Sequence, residues 1–334
     1  MAIKSTFNQA EGIVRVNGKT SKPFKINNGI KQGDSLSPLL FTIVMDEIHK
    51  ICRLRTGLTK VGNWKLRPIY AQALLFADDI LLIADTETKL QNMVREWTVA
   101  IEAKGMEINP SKGKVMLVSK NPDGRTANIE CKGHLLESAT QYTYLGTVIS
   151  QDGKIDVEIT KRIQKATNTY YAISGTIFGK KEINKKTKTR LYNAIVEPVL
   201  MYGSESWPTQ NKHISRATAV QMKVLRRIIG KTKRDRIRNE RITSELNQEP
   251  IATRIERRQL KWFGHVHRMN ETRKPKQYLI AKPEGNKIRG RQRKTYIDVI
   301  TEHGRKRGKS LKEMEKLAKN RETWKKVTTA LPTL

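Results

Sequence analysis

Two adjacent carboxylates, Asp78 and Asp79, stand between the apolar runs of QALLFADDILLIAD, residues 72–85. A charged pair in such a setting is costly unless it is exposed, paired or bound to a metal. Carboxylate oxygens are the hard donors that Mg2+ takes. A tight turn between two strands aims its side chains at a common point. Two-metal phosphoryl transfer uses that kind of arrangement to activate a hydroxyl and steady charge on phosphate. One pair seldom suffices, and a further carboxylate normally comes from another strand. The dipeptide alone also fits a solvated hairpin turn, where aspartate is common.

The elements around the pair follow from pattern. Two strands joined at Ala77-Asp78-Asp79-Ile80 are expected. Residues 86–104 place Leu90, Met93, Val94, Trp97 and Ile101 on one helical stripe, and Gly105 ends that helix. A strand follows in MEINPSKGKVMLVSK. Ahead of the pair, Asn17-Gly18 marks a hairpin. A glycine-bearing loop, GIKQGDSLSPLLF, then runs into a helix expected to be buried, on which Leu39, Leu40, Ile43, Val44, Glu47 and Ile48 keep a helical rhythm. Ser35 or Ser37 is its expected cap, with Pro38 in the first turn. YTYLGTVIS at 142–150 is strand-like. Helices are expected at 157–177, 183–202, 213–229, 251–269 and 311–326, with Pro198 kinking or ending the second. Residues 270–310, dense in Lys, Arg, Gly and Pro, read as a loop or flexible arm.

The 334 residues carry 65 Lys and Arg against 32 Asp and Glu, a net charge of +33. Such a charge repels itself unless something anionic neutralises it, and nucleic acid is the expected partner. The excess is uneven: residues 1–120 hold 18 basic and 11 acidic side chains, residues 251–334 hold 24 and 8. Within the latter, KIRGRQRK (287–294) brings Arg289, Arg291, Arg293 and Lys294 together. These read as nucleic-acid backbone contacts, or as a solvated linker. No apolar run is long enough to span a bilayer and no signal-peptide core opens the chain. The expected location is nucleus or cytoplasm, neither secreted nor membrane-embedded. Two cysteines, Cys52 and Cys131, exclude a disulfide framework. Trp262 and Phe263 read as core anchors; His265 and His267, two apart on a helix, do not share a face for a metal.

The ordered set of motifs resembles the reverse transcriptases of non-LTR (LINE-type) retrotransposons. GIKQGDSLSPLLF is similar to that family's glycine loop and helix, ALLFADDILLIAD to its catalytic box, and GMEINPSKGKVMLVS to the helix-turn-strand that follows. YTYLGTVIS is similar to the strand leading to the thumb. LKWFGHVHRM and GRQRKTYIDVI resemble its C-terminal pieces. The fold class implied is α+β: a partial reverse-transcriptase palm, antiparallel sheet with helices, at 1–150, then a mainly helical thumb-like region at 151–250. A basic C-terminal region with short helices and a flexible arm follows at 251–334.

The resemblance also implies roles. Asp78 and Asp79 match catalytic, metal-binding aspartates, with Mg2+ as cofactor and Mn2+ as its alternative. Gln32 and Gly33 match positions touching the template and the incoming nucleotide's pocket. Phe76 and Ala77 open the box and stand as substrate contacts. Lys112 and Lys114 fall where one lysine helps pyrophosphate leave, although surface lysine is their default reading. Implied partners are an RNA template, a DNA primer and deoxynucleoside triphosphates; the oligomeric state stays open. In the family a first catalytic aspartate lies upstream of the glycine loop, yet Glu11 is the one acidic residue before Gly29. The expectation is therefore a truncated RNA-directed DNA polymerase, inactive by itself. The alternative is a nucleic-acid-binding remnant without catalysis.

Overall fold

The computed structural model describes residues 10–26, 29–61, 69–119, 126–281 and 293–330. The chain divides into two compact units. The first comprises residues 1–59, 70–110 and 130–134, the second 60–69, 111–129 and 135–334. The α+β class holds. Among the described residues every sheet is two-stranded, where one antiparallel palm sheet was expected. One pair, Lys114–Val115 with Glu137–Ser138, runs parallel.

In the first unit, strands Arg15–Val16 and Lys19–Thr20 form the expected hairpin. Its turn residues Asn17 and Gly18 have φ of 49° and 80°, the left-handed pair that a type I′ turn demands. The Ser37–Thr56 helix packs on the Glu87–Glu102 helix. Met45, Ile48, Cys52, Met93, Trp97, Ala100 and Ile101 form the shared core. Thr86 caps the second helix through the Lys89 amide. The first helix has no side-chain cap. Ser37 instead donates its hydroxyl to the Lys31 carbonyl at 2.7 Å, and Asp34 accepts from the Leu36 amide at 3.0 Å. Both serine capping assignments therefore fail, because these bonds close the glycine loop. Leu39 and Ile43 keep the helical rhythm but are 56% and 57% exposed; the buried stripe runs through Met45, Ile48 and Cys52. Both cysteines are free and buried, and burial beside Glu96 pushes the Cys52 thiol up to about 11.

The second unit is mainly helical. The Asp156–Ile173 and Asn211–Ile228 helices contribute to its largest core, with Tyr192, Leu200, Leu225 and Ile251 among the buried residues. The helix from Lys185 widens to a π turn at Tyr192–Val196, directly ahead of Pro198, which cannot donate to the helical ladder. The Ile251–His267 helix joins two cores, giving Ile251 and Ile255 to the first and Leu260 and Phe263 to the second. Phe263 is thus the anchor expected of it, and its ring lies 4.3 Å from that of His267.

The segment 270–310 departs from its reading as a loop. Helices Lys274–Ile280 and Tyr296–Arg305 form there, the latter begun by a Thr295–Asp298 capping box. The expected 311–326 helix is two helices, Leu311–Ala318 and Arg321–Thr329, divided where Asn320 caps the second. Trp324 closes this core over Gly264, where a Cβ would lie 2.1 Å from the indole nitrogen. The indole N–H donates to the Leu260 carbonyl at 2.9 Å.

Candidate functional site

The apolar runs around Asp78 and Asp79 form an antiparallel hairpin, Ala73–Phe76 with Asp79–Leu82. The turn contains Ala77 and Asp78 only, so Asp79 is the first residue of the returning strand. Register decides which side each residue serves. Ala73, Leu75, Ile80 and Leu82 pack against the helical core of the unit. Strand alternation then puts Leu74 and Phe76, with their partners Leu81 and Asp79, on the opposite face. Phe76, 61% exposed, is directly opposite Asp79. Both carboxylates are exposed. Among the described residues no ion pair or hydrogen bond engages either one.

Ala77 has φ of 49°, an uncommon conformation for a residue with a Cβ. Strain of this kind clusters at functional turns. Ala77→Gly is expected to stabilise the chain by about 0.5–1 kcal/mol, the left-handed penalty less glycine's entropy cost. A rise in the urea midpoint reads this out; an unchanged midpoint would show that the turn carries no strain.

The other candidate residues are distributed as follows. Gln32 and Gly33 occupy the centre of a turn in the same unit, closed by the Asp34 amide on the Lys31 carbonyl at 3.3 Å. Gly33 has φ of 89°, which a type II turn requires at that position. Lys112 and Lys114 belong to the second unit. Lys112 is exposed, whereas Lys114 is paired with Glu137 at 2.9 Å. Arg293 donates to the Gly153 carbonyl at 3.4 Å, and Lys294 pairs with Glu302 at 2.6 Å. Arg289 and Arg291 lie outside the described residues. Among the described residues, the hairpin tip therefore brings together Phe76, Ala77, Asp78 and Asp79 of the predicted site, and a separate turn holds Gln32 and Gly33.

Comparison with known proteins bears on what this tip belongs to. The profile of the family described as "Reverse transcriptase (RNA-dependent DNA polymerase)" matches residues 1–149. A transposon-derived protein of Caenorhabditis elegans is 31% identical over 208 residues, 60% of this chain and 73% of the relative. The Pol polyprotein from retrotransposable element R2 of Nasonia vitripennis is 32% identical over 158 residues, 44% of this chain and 14% of the relative. The chain belongs to the non-LTR retrotransposon reverse transcriptases. The RNA-directed DNA polymerase from mobile element jockey of Drosophila melanogaster is 24% identical over 245 residues, 69% of this chain and 25% of that relative. This reverse-transcriptase chain thus spans most of the nematode relative and a quarter or less of the other two.

Two exposed carboxylates, with no cation partner among the described residues, fit a divalent metal by donor chemistry. Among the described residues no cluster of three or more His, Cys, Asp or Glu forms a metal site. Asp78 and Asp79 supply two such groups. No described helix is long and apolar enough to cross a membrane.

Proposed function

We propose that Asp78 and Asp79 are metal-binding aspartates of an RNA-directed DNA polymerase acting on an RNA template, a DNA primer and deoxynucleoside triphosphates. The observation that carries this is the hairpin tip: two open carboxylates held at a two-residue turn inside the segment that matches the family. Bound Mg2+ supplies charge stabilisation for the phosphoryl group being transferred. Asp78 and Asp79 hold and orient that ion. Phe76, on the same face as Asp79, offers an apolar surface beside the carboxylates for a nucleotide. Gln32 and Gly33 contribute template and nucleotide contacts, and Lys112 or Lys114 a charge for pyrophosphate. Arg289, Arg291, Arg293 and Lys294 take backbone phosphates.

A two-metal site draws on more than two carboxylates, and among the described residues Asp78 and Asp79 are the two at the tip. The 334-residue polypeptide assayed by itself is therefore expected to give no primer extension with Mg2+ or Mn2+. Incorporation that D78N abolishes would overturn that expectation. The metal reading has its own test. Mn2+ binding, followed by electron paramagnetic resonance, is expected to weaken at least tenfold in D78N and in D79N. Equal binding by wild type and both variants would refute the assignment of the tip.

A further inference from the structure

Between the helices Asn211–Ile228 and Asn239–Glu245 the chain turns through a loop carrying Lys231, Lys233, Arg234, Arg236 and Arg238. All five are exposed. The loop is held by its own bonds. Asp235, its one acid, accepts from the Thr232 amide at 2.7 Å and the Thr232 hydroxyl at 2.9 Å. These bonds hold the Asp235 carboxyl below the usual range. The Thr232 hydroxyl oxygen accepts in turn from the Arg234 amide at 3.2 Å. The Arg236 amide donates to the Lys233 carbonyl at 3.2 Å, and the Lys231 amide to the Arg226 carbonyl at 2.9 Å. At the far end the Arg226 guanidinium donates to the Ile237 carbonyl at 3.3 Å and to Asn239 Oδ1 at 2.7 Å. Ile237, the large apolar residue within Lys231–Arg238, packs on the core.

Four of the cations, Lys233, Arg234, Arg236 and Arg238, meet no acidic partner among the described residues. Holding them close in a fixed loop costs repulsion that a solvated linker would relax by spreading. An anionic polymer recovers that cost, and a loop already ordered loses little freedom on binding it. A phosphodiester backbone presents one charge about every 3.4 Å of strand. A bilayer surface fits less well, because peripheral membrane segments insert apolar side chains and Ile237 is turned into the core.

We infer that the Lys231–Arg238 loop is a pre-formed contact for the phosphodiester backbone of nucleic acid. It is carried on the second unit and does not depend on the metal reading of Asp78 and Asp79. The test uses the full chain and a labelled single-stranded RNA, titrated at several salt concentrations. K233Q/R234Q/R236Q/R238Q is expected to flatten the dependence of log affinity on log salt by about 3, near 0.7 for each lost contact. K312Q/K316Q/K325Q/K326Q, an equal change of charge on other exposed lysines, is expected to leave the slope near wild type. An equal flattening by both would overturn the inference, since net charge alone would then govern binding.

Asp235 separates a built contact from a mere patch. D235N removes an anion yet keeps an acceptor for Thr232, and is expected to bind as tightly as wild type or more so. D235A removes the anion and the frame together, and is expected to bind several-fold more weakly. Tighter binding by D235A would overturn a pre-formed contact. So would a quadruple variant that loses binding to phosphatidylserine vesicles while RNA binding stays unchanged.

Discussion

Glu256→Ala is expected to destabilise the chain by about 3–5 kcal/mol at neutral pH, the usual cost of stranding a buried charge. Glu256, on the Ile251–His267 helix, is 6% exposed. Its carboxylate pairs with the guanidinium of Arg307, whose side chain is 5% exposed. Lys306 Nζ and His303 Nδ1 each lie 3.2 Å from Glu256 Oε2. Arg307 also donates to the Val327 carbonyl at 3.2 Å and the His303 carbonyl at 3.0 Å. One carboxylate thus ties together the helices that build the C-terminal core, and alanine leaves Arg307 buried without its anion.

The same contacts set a pH dependence. Burial pushes the Glu256 carboxyl up, but His303 and Arg307 outweigh it and hold the group at about 2, against 4.5 when unperturbed. A carboxyl depressed by folding stabilises above its unfolded value and loses that contribution as pH falls toward its folded value. The advantage of wild type over Glu256→Gln is therefore expected to be full above pH 4.5 and to shrink by about 3 kcal/mol on approach to pH 2. Urea unfolding of both proteins across that range measures it. A difference that stays constant with pH would show that ionisation of Glu256 contributes nothing.

Glu256 also shows what the sequence could not disclose. Its neighbourhood, IATRIERRQLKWFGH, is dense in charge, and nothing in its spacing marks this glutamate as the buried one. Burial depends on residues some fifty positions away, brought near by helices that composition concealed. Tyr296–Arg305 was hidden because its surroundings are rich in Lys, Arg and Gly, and what starts the helix is a local cap at Thr295 rather than a long apolar stripe. Leu39 and Ile43 erred in the other direction: apolar residues at helical spacing, yet exposed. Periodicity reports which residues share a face and cannot report whether that face is covered. By contrast, the hairpins at Asn17-Gly18 and at Ala77-Asp78 were legible because turn chemistry and flanking β-forming runs are both local. The aspartate pair was legible for the same reason. Nothing in the residue spacing of the Lys231–Arg238 loop marks it as ordered, since its order comes from Thr232, Asp235 and Arg226 bonds that the sequence does not specify.

A second buried pair makes the same point with a sharper test. The hairpin Gln141–Tyr144 with Thr147–Ser150 turns at Leu145 and Gly146, with φ of 47° and 79°. Glu158, fully buried on the Asp156–Ile173 helix, accepts from the Val148 amide at 2.7 Å and from Arg162 Nε at 3.1 Å. Arg162 Nη2 reaches the Gly146 carbonyl at 2.6 Å, and its guanidinium lies 4.7 Å above the Tyr202 ring. The Tyr202 hydroxyl donates to the Leu145 carbonyl at 2.7 Å. Three side chains therefore clamp the hairpin turn to the helices beside it. Glu158→Ala strands both the Arg162 charge and the Val148 amide, and is expected to cost about 3–5 kcal/mol. E158Q/R162M keeps an acceptor for Val148 and removes both charges, so it is expected to cost less than half as much. Urea unfolding ranks the variants, and hydrogen exchange at the Val148 amide locates the loss. If E158A costs under about 1 kcal/mol, the clamp is not what holds the turn. If the double variant is the less stable, the charges themselves supply net stability. The expected order instead assigns them to fixing where the turn sits, because a neutral Gln and Met pair of similar size can fill the space and keep the Val148 acceptor but cannot grip the Gly146 carbonyl.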